Sequence, residues 1–252
     1  VKRCGLLGRN IQYSRSPIIH NEYYQKHLIP ISYEIFDIDE KDISTFIKEL
    51  RQMNVIGFNV TIPYKEKILK FLDKLEYPAK EINAVNTVSV EEYGLVGYNT
   101  DYYGFIKSLD GYNLNNKGAL IIGSGGSAKC AAYALENLNC AHISICTRNT
   151  EKANEKFGLK YNLIHTSQIK SLNNFDIIVN CTPLGGPNYI NSVPVPIEGI
   201  NKGCIVYDLN YVPEKTRLLE EAEKQGAIII NGENMLINQA HNAADIWIKN
   251  HF

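Results

Sequence analysis

The first hundred residues place polar side chains where packing alone would ask for apolar ones. Ser14-Arg15-Ser16 precedes a helical stretch, and Asn59-Val60-Thr61-Ile62-Pro63-Tyr64-Lys65 follows a strand-like run. Asn86-Thr87 lies inside the apolar run Ala84 to Val88, and Gly97-Tyr98-Asn99-Thr100-Asp101 closes the segment. Serine hydroxyls beside a helix N-terminus suit a carboxylate, whereas amides and a lysine–aspartate pair suit ring hydroxyls or a ketone. A small polyhydroxylated acid would need that set. Each residue also has a plainer use: Ser16 as a helix N-cap, Asn59 as a turn residue, Asp101 as the cap of a helix from Tyr102.

A second chemical signal is Gly123-Ser124-Gly125-Gly126-Ser127-Ala128, which follows the apolar strand Ala119 to Ile122 and opens a helix. Gly123 permits the tight turn, Gly125 lets backbone approach a pyrophosphate, and the small Ala128 allows close helix–strand packing. The free N–H groups of the helix N-terminus then face the anion. The next strand ends Cys146-Thr147-Arg148-Asn149-Thr150, with no acid before Glu151 to take a ribose 2′-hydroxyl. Arg148 and Lys152 stand where a 2′-phosphate would lie, one as a planar fork and the other as a point charge. NADP is therefore favoured over NAD.

Two sets of elements must position these groups. Strands are expected at Lys2 to Leu7, Ser32 to Phe36 and Val55 to Val60, with helices from Ser16-Pro17 to Leu28, from Lys41 to Arg51, and after Pro63 through Leu72. Ala84 to Val90 and Leu95 to Tyr98 read as a hairpin turning near Glu92-Tyr93-Gly94. Beyond Tyr102 the rhythm becomes strict strand–helix alternation. The strands are Ala119 to Ile122, His142 to Cys146, Asp176 to Asn180, Cys204 to Leu209 and Ala227 to Ile230. The helices are Ser127 to Leu138, Glu151 to Phe157, Glu214 to Lys224 and Met235 to Lys249. Continuous apolar strands between helices imply a parallel sheet covered on both faces. The chain therefore reads as α/β, in two lobes that divide near residue 102, with the last helix packing back on the first.

Composition narrows the function classes. At 252 residues the chain holds one large or two modest domains. Lys plus Arg (26) against Asp plus Glu (27) leaves a net charge of -1, which argues against a nucleic-acid groove or an anionic-membrane binder. The uncharged run Ile177 to Ile197 is broken by four prolines, and no secretory signal is visible at the N-terminus. Six cysteines without a C-x-x-C pair read as reduced thiols of a cytoplasmic protein, and no metal site is expected. His20 and His27 are read as core or helix-surface residues. Asparagine makes up 27 of the residues, so a single Asn carries weight only inside a larger pattern.

Seven such patterns occur in order, and together they resemble the shikimate dehydrogenase family over nearly the whole chain, from Gly5 to about Ala244. They are the serines Ser14 and Ser16; Asn59 to Lys65, an N-V-T-x-P-x-K block; Ala84 to Thr87, A-V-N-T; and Asn99 to Gly104, N-T-D-x-x-G, followed by the glycine loop. Asn180 to Gly185, Tyr207 to Pro213 with Thr216, and Gly232, Met235, Leu236 and Gln239 complete the set.

The resemblance implies a substrate-binding lobe at 1–102, which helix 238–252 rejoins, and a Rossmann-like NADP-binding lobe at 103–237, with the active-site cleft between them. It implies reversible NADPH-dependent reduction of 3-dehydroshikimate to shikimate, a step of aromatic amino-acid biosynthesis, by a monomer or homodimer. Lys65 and Asp101 fall on the catalytic pair. Ser14, Ser16, Asn59, Thr61, Lys65, Asn86, Asp101, Tyr211 and Gln239 fall on the substrate contacts. Gly123, Ser124, Gly125, Gly126, Ser127, Ala128, Thr147, Arg148, Lys152, Thr182, Leu209, Gly232 and Met235 fall on the cofactor side.

Several residues depart from the family pattern. Asn234 replaces a common glycine, Glu233 adds a charge beside the expected nicotinamide site, Lys152 replaces a frequent arginine, and Thr147 and Asn149 replace Asn and Thr around Arg148. The competing readings are a quinate/shikimate dehydrogenase using NAD and a non-catalytic NADP-binding sensor on the same scaffold. Ser16 and Arg148 oppose the first, and the intact Lys65 and Asp101 oppose the second.

Overall fold

The computed structural model describes all residues from Val1 to Phe252. The chain divides into two compact units, one of Val1–Lys107 with Leu236–Phe252 and the other of Ser108–Met235.

The first unit holds a six-stranded mixed sheet. Its strands are β1 (Lys2–Gly8), β2 (Ile31–Asp37), β3 (Val55–Val60), β4 (Lys74–Leu75), β5 (Thr87–Glu91) and β6 (Gly94–Tyr98), in the order β2-β1-β3-β5-β6-β4. β1 runs parallel to β2 and β3, and β5 pairs antiparallel with β3 and β6. Its helices are α1 (Ser16–Lys26), α2 (Ile43–Glu49), the one-turn α3 (Ala79–Ile82) and α4 (Thr100–Ser108). Alternation along the strands sends Leu7, Phe36, Phe58 and Val60 to one face, where Ile43, Phe46 and Leu50 cover them. The opposite face sends Cys4, Leu6, Tyr33 and Ile56 against Tyr24 of α1 and against Ala243, Ala244 and Trp247 of the last helix, α8 (Glu233–His251). Trp247 is fully buried and donates its indole N–H to the Val88 carbonyl at 2.9 Å. Gly57 makes room for it, since a Cβ there would lie 2.1 Å from the indole nitrogen.

The second unit is a six-stranded, wholly parallel sheet of β7 (Gly118–Ile122), β8 (His142–Thr147), β9 (Asn162–His165), β10 (Ile177–Asn180), β11 (Ile205–Asp208) and β12 (Ile228–Asn231). Its order, β12-β11-β10-β7-β8-β9, is that of the doubly wound dinucleotide-binding sheet. The helices α5 (Gly126–Asn137), α6 (Thr150–Phe157) and α7 (Arg217–Lys224) belong to this unit. No helix of the chain is long and apolar enough to cross a membrane.

Several local expectations are corrected. The stretch after Pro63 forms only a 3-10 turn at Lys67–Phe71, because the Lys65 carbonyl that a helix would use accepts the Val85 N–H instead, at 2.9 Å. For the same reason the first hairpin strand begins at Thr87 rather than Ala84. The helix expected from Glu214 starts at Arg217, where the Thr216 side chain caps it. β4 and β9 have no counterpart among the expected strands: β4 has two residues, and β9 is an edge strand whose N-L-I-H sequence lacks an apolar run.

The surplus of asparagine has a backbone use. Five of the six non-glycine residues with positive φ are Asn10, Asn54, Asn83, Asn116 and Asn139, a region that asparagine tolerates better than most residues. All six cysteines are free. Burial pushes the Cys146 thiol up to about 11 and the Cys204 thiol to about 12, so both pack as protonated, apolar groups.

Candidate active site

In the first unit Asn59, Lys65, Asn86, Thr87, Thr100 and Asp101 meet, together with Gln239, in one buried network. The Lys65 ammonium donates to Asp101 Oδ2 at 2.5 Å, with the two side chains 16% and 9% exposed. Asn86 Nδ2 donates to Asp101 Oδ1 at 2.9 Å and also faces Thr100 Oγ1 at 2.9 Å and Gln239 Oε1 at 3.2 Å. Asn86 Oδ1 accepts the Thr100 N–H at 2.6 Å, and its carbonyl accepts the Val60 N–H at 2.7 Å. Asn59 Nδ2 reaches that same carbonyl at 3.2 Å and Thr87 Oγ1 at 2.9 Å. β3 delivers Asn59 and the turn after it Thr61 and Lys65, β5 is preceded by Asn86, α4 carries Asp101 in its first turn, and α8 carries Gln239. Four separate chain segments thus converge.

Ser14 and Ser16 sit with their hydroxyls 3.2 Å apart at the start of α1. Ser16 is the first helical residue rather than the cap, which is Arg15, so its hydroxyl is not spent on the helix end. Asp101 is not a cap either: Asn99 Oδ1 accepts the Tyr102 N–H at 3.2 Å, which leaves both Asp101 oxygens for Lys65 and Asn86. Thr61 follows β3 directly, its N–H held by the Leu7 carbonyl at 2.9 Å.

In the second unit the glycine loop joins β7 to α5. Gly123 has φ +117°, a conformation that favours glycine. A Cβ on Gly125 would meet nothing within 4 Å, so the protein's own packing does not demand that glycine. No side chain caps α5. Gly126, Ser127 and the fully buried Ala128 begin the helix. Ser124 Oγ lies 3.1 Å from Thr147 Oγ1, which ties the loop to the end of β8. Arg148 and Lys152 are exposed, and no other residue engages either side chain. Asn149 caps α6 by accepting the Lys152 N–H at 2.8 Å. An open glycine cradle beside two uncommitted cations fits a dinucleotide with an extra phosphate.

The carboxyl ends of the other strands shape the rest of this unit's candidate surface. Asp208 is fully buried and accepts from Thr216 Oγ1 at 2.7 Å, Asn180 Nδ2 at 3.0 Å and Asn210 Nδ2 at 2.8 Å. Burial raises its carboxyl above the ordinary carboxylate range, and those donors pull the other way. The hub sets the loops bearing Thr182, Leu209 and Tyr211. Thr182 Cγ2 would lie 3.3 Å from a Cβ on Gly123, and Gly232 exists because a Cβ there would sit 2.1 Å from the Leu209 carbonyl oxygen. Met235 is buried, and Asn234 lies within helical α8, so that position has no need of glycine's conformational freedom.

Family comparison follows the same division. The shikimate dehydrogenase substrate binding domain model matches residues 6–88, and the shikimate / quinate 5-dehydrogenase model matches residues 106–191. The shikimate dehydrogenase (NADP(+)) of Clostridium botulinum (strain 657 / Type Ba4) is 54% identical over 248 residues, 98% of this chain and 96% of its own. The chain belongs to the shikimate dehydrogenase family. Two solved structures agree in fold. Shikimate dehydrogenase 1 from Peptoclostridium difficile has a TM-score of 0.92 at 31% identity, covering 100% of this chain and 93% of that one. The Thermus thermophilus shikimate 5-dehydrogenase, in complex with NADP(H) and shikimate, has a TM-score of 0.84 at 30% identity, covering 99% and 94%.

Within this family member some residues outside the expected site set lie beside it. Thr87 and Thr100 sit inside the A-V-N-T and N-T-D blocks, yet only the fold shows that their hydroxyls, 3.0 Å apart, close the network around Asn86. Lys156 reaches the Ser124 carbonyl of the glycine loop at 3.4 Å, and its spacing of four from Lys152 was the available signal.

Proposed function

We propose that this chain catalyses the reversible, NADP-dependent reduction of 3-dehydroshikimate to shikimate, with Lys65 and Asp101 as the catalytic pair. The observation that carries the reading is the buried Lys65–Asp101 contact, tied through Asn86 to Gln239. Residues 1–102, joined by helix 238–252, bind the substrate; residues 103–237 bind NADP through Gly123 to Ala128, Thr147, Arg148, Lys152, Thr182, Leu209, Gly232 and Met235. When bound, the reduced dinucleotide supplies the hydride.

The chain's own residues do the rest. The Ser14 and Ser16 hydroxyls, at the N-terminus of α1, hold the substrate carboxylate. Asn86, Gln239, Asn59, Thr61 and Tyr211 engage the ring hydroxyls. As negative charge collects on the ketone oxygen, the Lys65 ammonium donates a hydrogen bond to it and then passes it a proton. Asp101 accepts from the ammonium, keeps it charged and aimed, and presents a carboxylate to the adjacent hydroxyl. In the oxidation direction the same pair withdraws the hydroxyl proton. The fork of Arg148 and the ammonium of Lys152 take the 2′-phosphate, which sets the preference for NADP over NAD. We place the enzyme in the cytoplasm, where its free thiols stay reduced, acting as a monomer or homodimer on a small-molecule substrate.

The test is oxidation of shikimate and of quinate with NADP+ and with NAD+, followed by the absorbance of the reduced cofactor. The expected result is a kcat/KM for shikimate with NADP+ at least tenfold above every other pairing (about 1.4 kcal/mol of transition-state discrimination). Folded protein that binds NADP+ but turns over neither substrate would refute the reading.

A further inference from the structure

The mechanism leaves unexplained a buried aromatic and amide cluster on the other side of Asn59. The Tyr33 hydroxyl donates to Asn59 Oδ1 at 2.7 Å. The direction of that bond is forced. Asn59's amide must point its NH2 at the Asn86 carbonyl, which can only accept, so its oxygen faces Tyr33 and needs a donor. The tyrosine is in turn fixed from two sides by α1. Asn21 grips its backbone with both amide atoms, accepting the Tyr33 N–H at 2.8 Å and donating to its carbonyl at 2.9 Å. The His20 imidazole stacks flat on the phenol ring, with centroids 4.0 Å apart and planes 4° from parallel.

His20 is an odd choice for packing. It is 1% exposed, its Nδ1 lies 3.2 Å from the Tyr24 hydroxyl, and its Nε2 is buried with no hydrogen bond of normal geometry, the Asn59 side chain being its polar neighbour. A phenylalanine would fill the same space without the cost of an unsatisfied buried nitrogen. What the imidazole adds is a ring plane set by its bond to Tyr24, which then sets the plane of the phenol stacked upon it.

Resting on the function proposed above, we infer that Tyr33, clamped by His20 and Asn21, is a positioning residue for the substrate pocket. Its hydroxyl holds Asn59, and Asn59 holds the Asn86–Thr87 corner, whose Asn86 amide orients Asp101 and Gln239. α1 thus has two tasks: its N-terminal end, with Ser14 just before it, carries the Ser14 and Ser16 hydroxyls, and its second turn braces the floor on which the ring hydroxyls rest.

Tyr33→Phe keeps the stacked ring and deletes only the hydroxyl. Shikimate binding to the cofactor-free protein, measured by calorimetry, is expected to weaken about fivefold, the scale of one neutral buried hydrogen bond. The KM for shikimate should rise in step, while kcat stays within about threefold and the affinity for 2′,5′-ADP does not change. Asn21→Ala, a milder and exposed change, should show the same pattern at about half the size on a logarithmic scale. A purely structural role would lower the melting temperature and the active fraction without moving the affinity for shikimate; that outcome overturns the inference, as does a Tyr33→Phe protein identical to wild type. Wild-type protein that binds no shikimate would instead overturn the function on which the inference rests, and the inference with it.

Discussion

Replacing Lys65 with alanine removes the one ammonium in the buried network, and the size of the loss follows from what that group touches. Its nitrogen sits 2.5 Å from Asp101 Oδ2, and its side chain is 16% exposed, so the charge acts where solvent screening is weak. A preorganised donor to a developing oxyanion is worth about 10²–10³ in rate, and a positioned proton donor about 10²–10⁴. One side chain does both here, so the factors overlap, and we expect kcat to fall roughly 10³-fold, about 4 kcal/mol of transition-state stabilisation. Ser14, Ser16, Asn86 and Gln239 remain, so KM for shikimate should change by no more than about threefold. Steady-state oxidation of shikimate by NADP+ gives both constants, and a thermal melt guards against a folding defect, because Asp101 keeps only the Asn86 donor among its side-chain partners here. A kcat within threefold of wild type in folded Lys65→Ala protein would refute the reasoning.

Arg148→Ala should weaken NADP+ about tenfold, the scale of a charge-assisted bond to phosphate, and leave NAD+ unchanged; KM values for both cofactors check this. Gly232→Ala forces a Cβ to within 2.1 Å of the Leu209 carbonyl oxygen, so unfolding free energy should fall by about 1–3 kcal/mol in urea titrations. His20 supplies a pH test. Burial, helped by nearby His241 and opposed by Asn59, pushes its pKa from 6.5 down to about 3. Between those values the unfolded chain binds a proton that the folded one refuses, so stability from this residue falls as pH drops. From pH 7 to pH 5 the loss is about 2 kcal/mol, and urea unfolding of His20→Phe should lack that part of the slope.

Much of the candidate site was legible because it is written in short contiguous blocks. A glycine loop between an apolar strand and a helix, or N-V-T-x-P-x-K after a strand, keeps its local geometry wherever it occurs, since turn chemistry and strand alternation act over a few residues. The second unit's order of strands and helices was readable for the same reason: its four inner strands are buried on both faces and appear as apolar runs. The edge strand Asn162–His165, paired on one side only, lacks that signature.

By itself, then, the sequence pointed to the residues proposed to carry the chemistry and to most of the local elements that bear them. It did not determine who meets whom. Whether Ser16 caps a helix, whether Asp101 ends a helix or pairs with Lys65, and that His20 stacks on Tyr33 while Tyr33 bonds Asn59 are visible only in the folded chain. The Asn86–Gln239 contact joins residues 153 positions apart. The physical reason is that a polar side chain has several possible partners of similar worth in water. Burial removes the solvent option and leaves only those partners that the packed backbone presents.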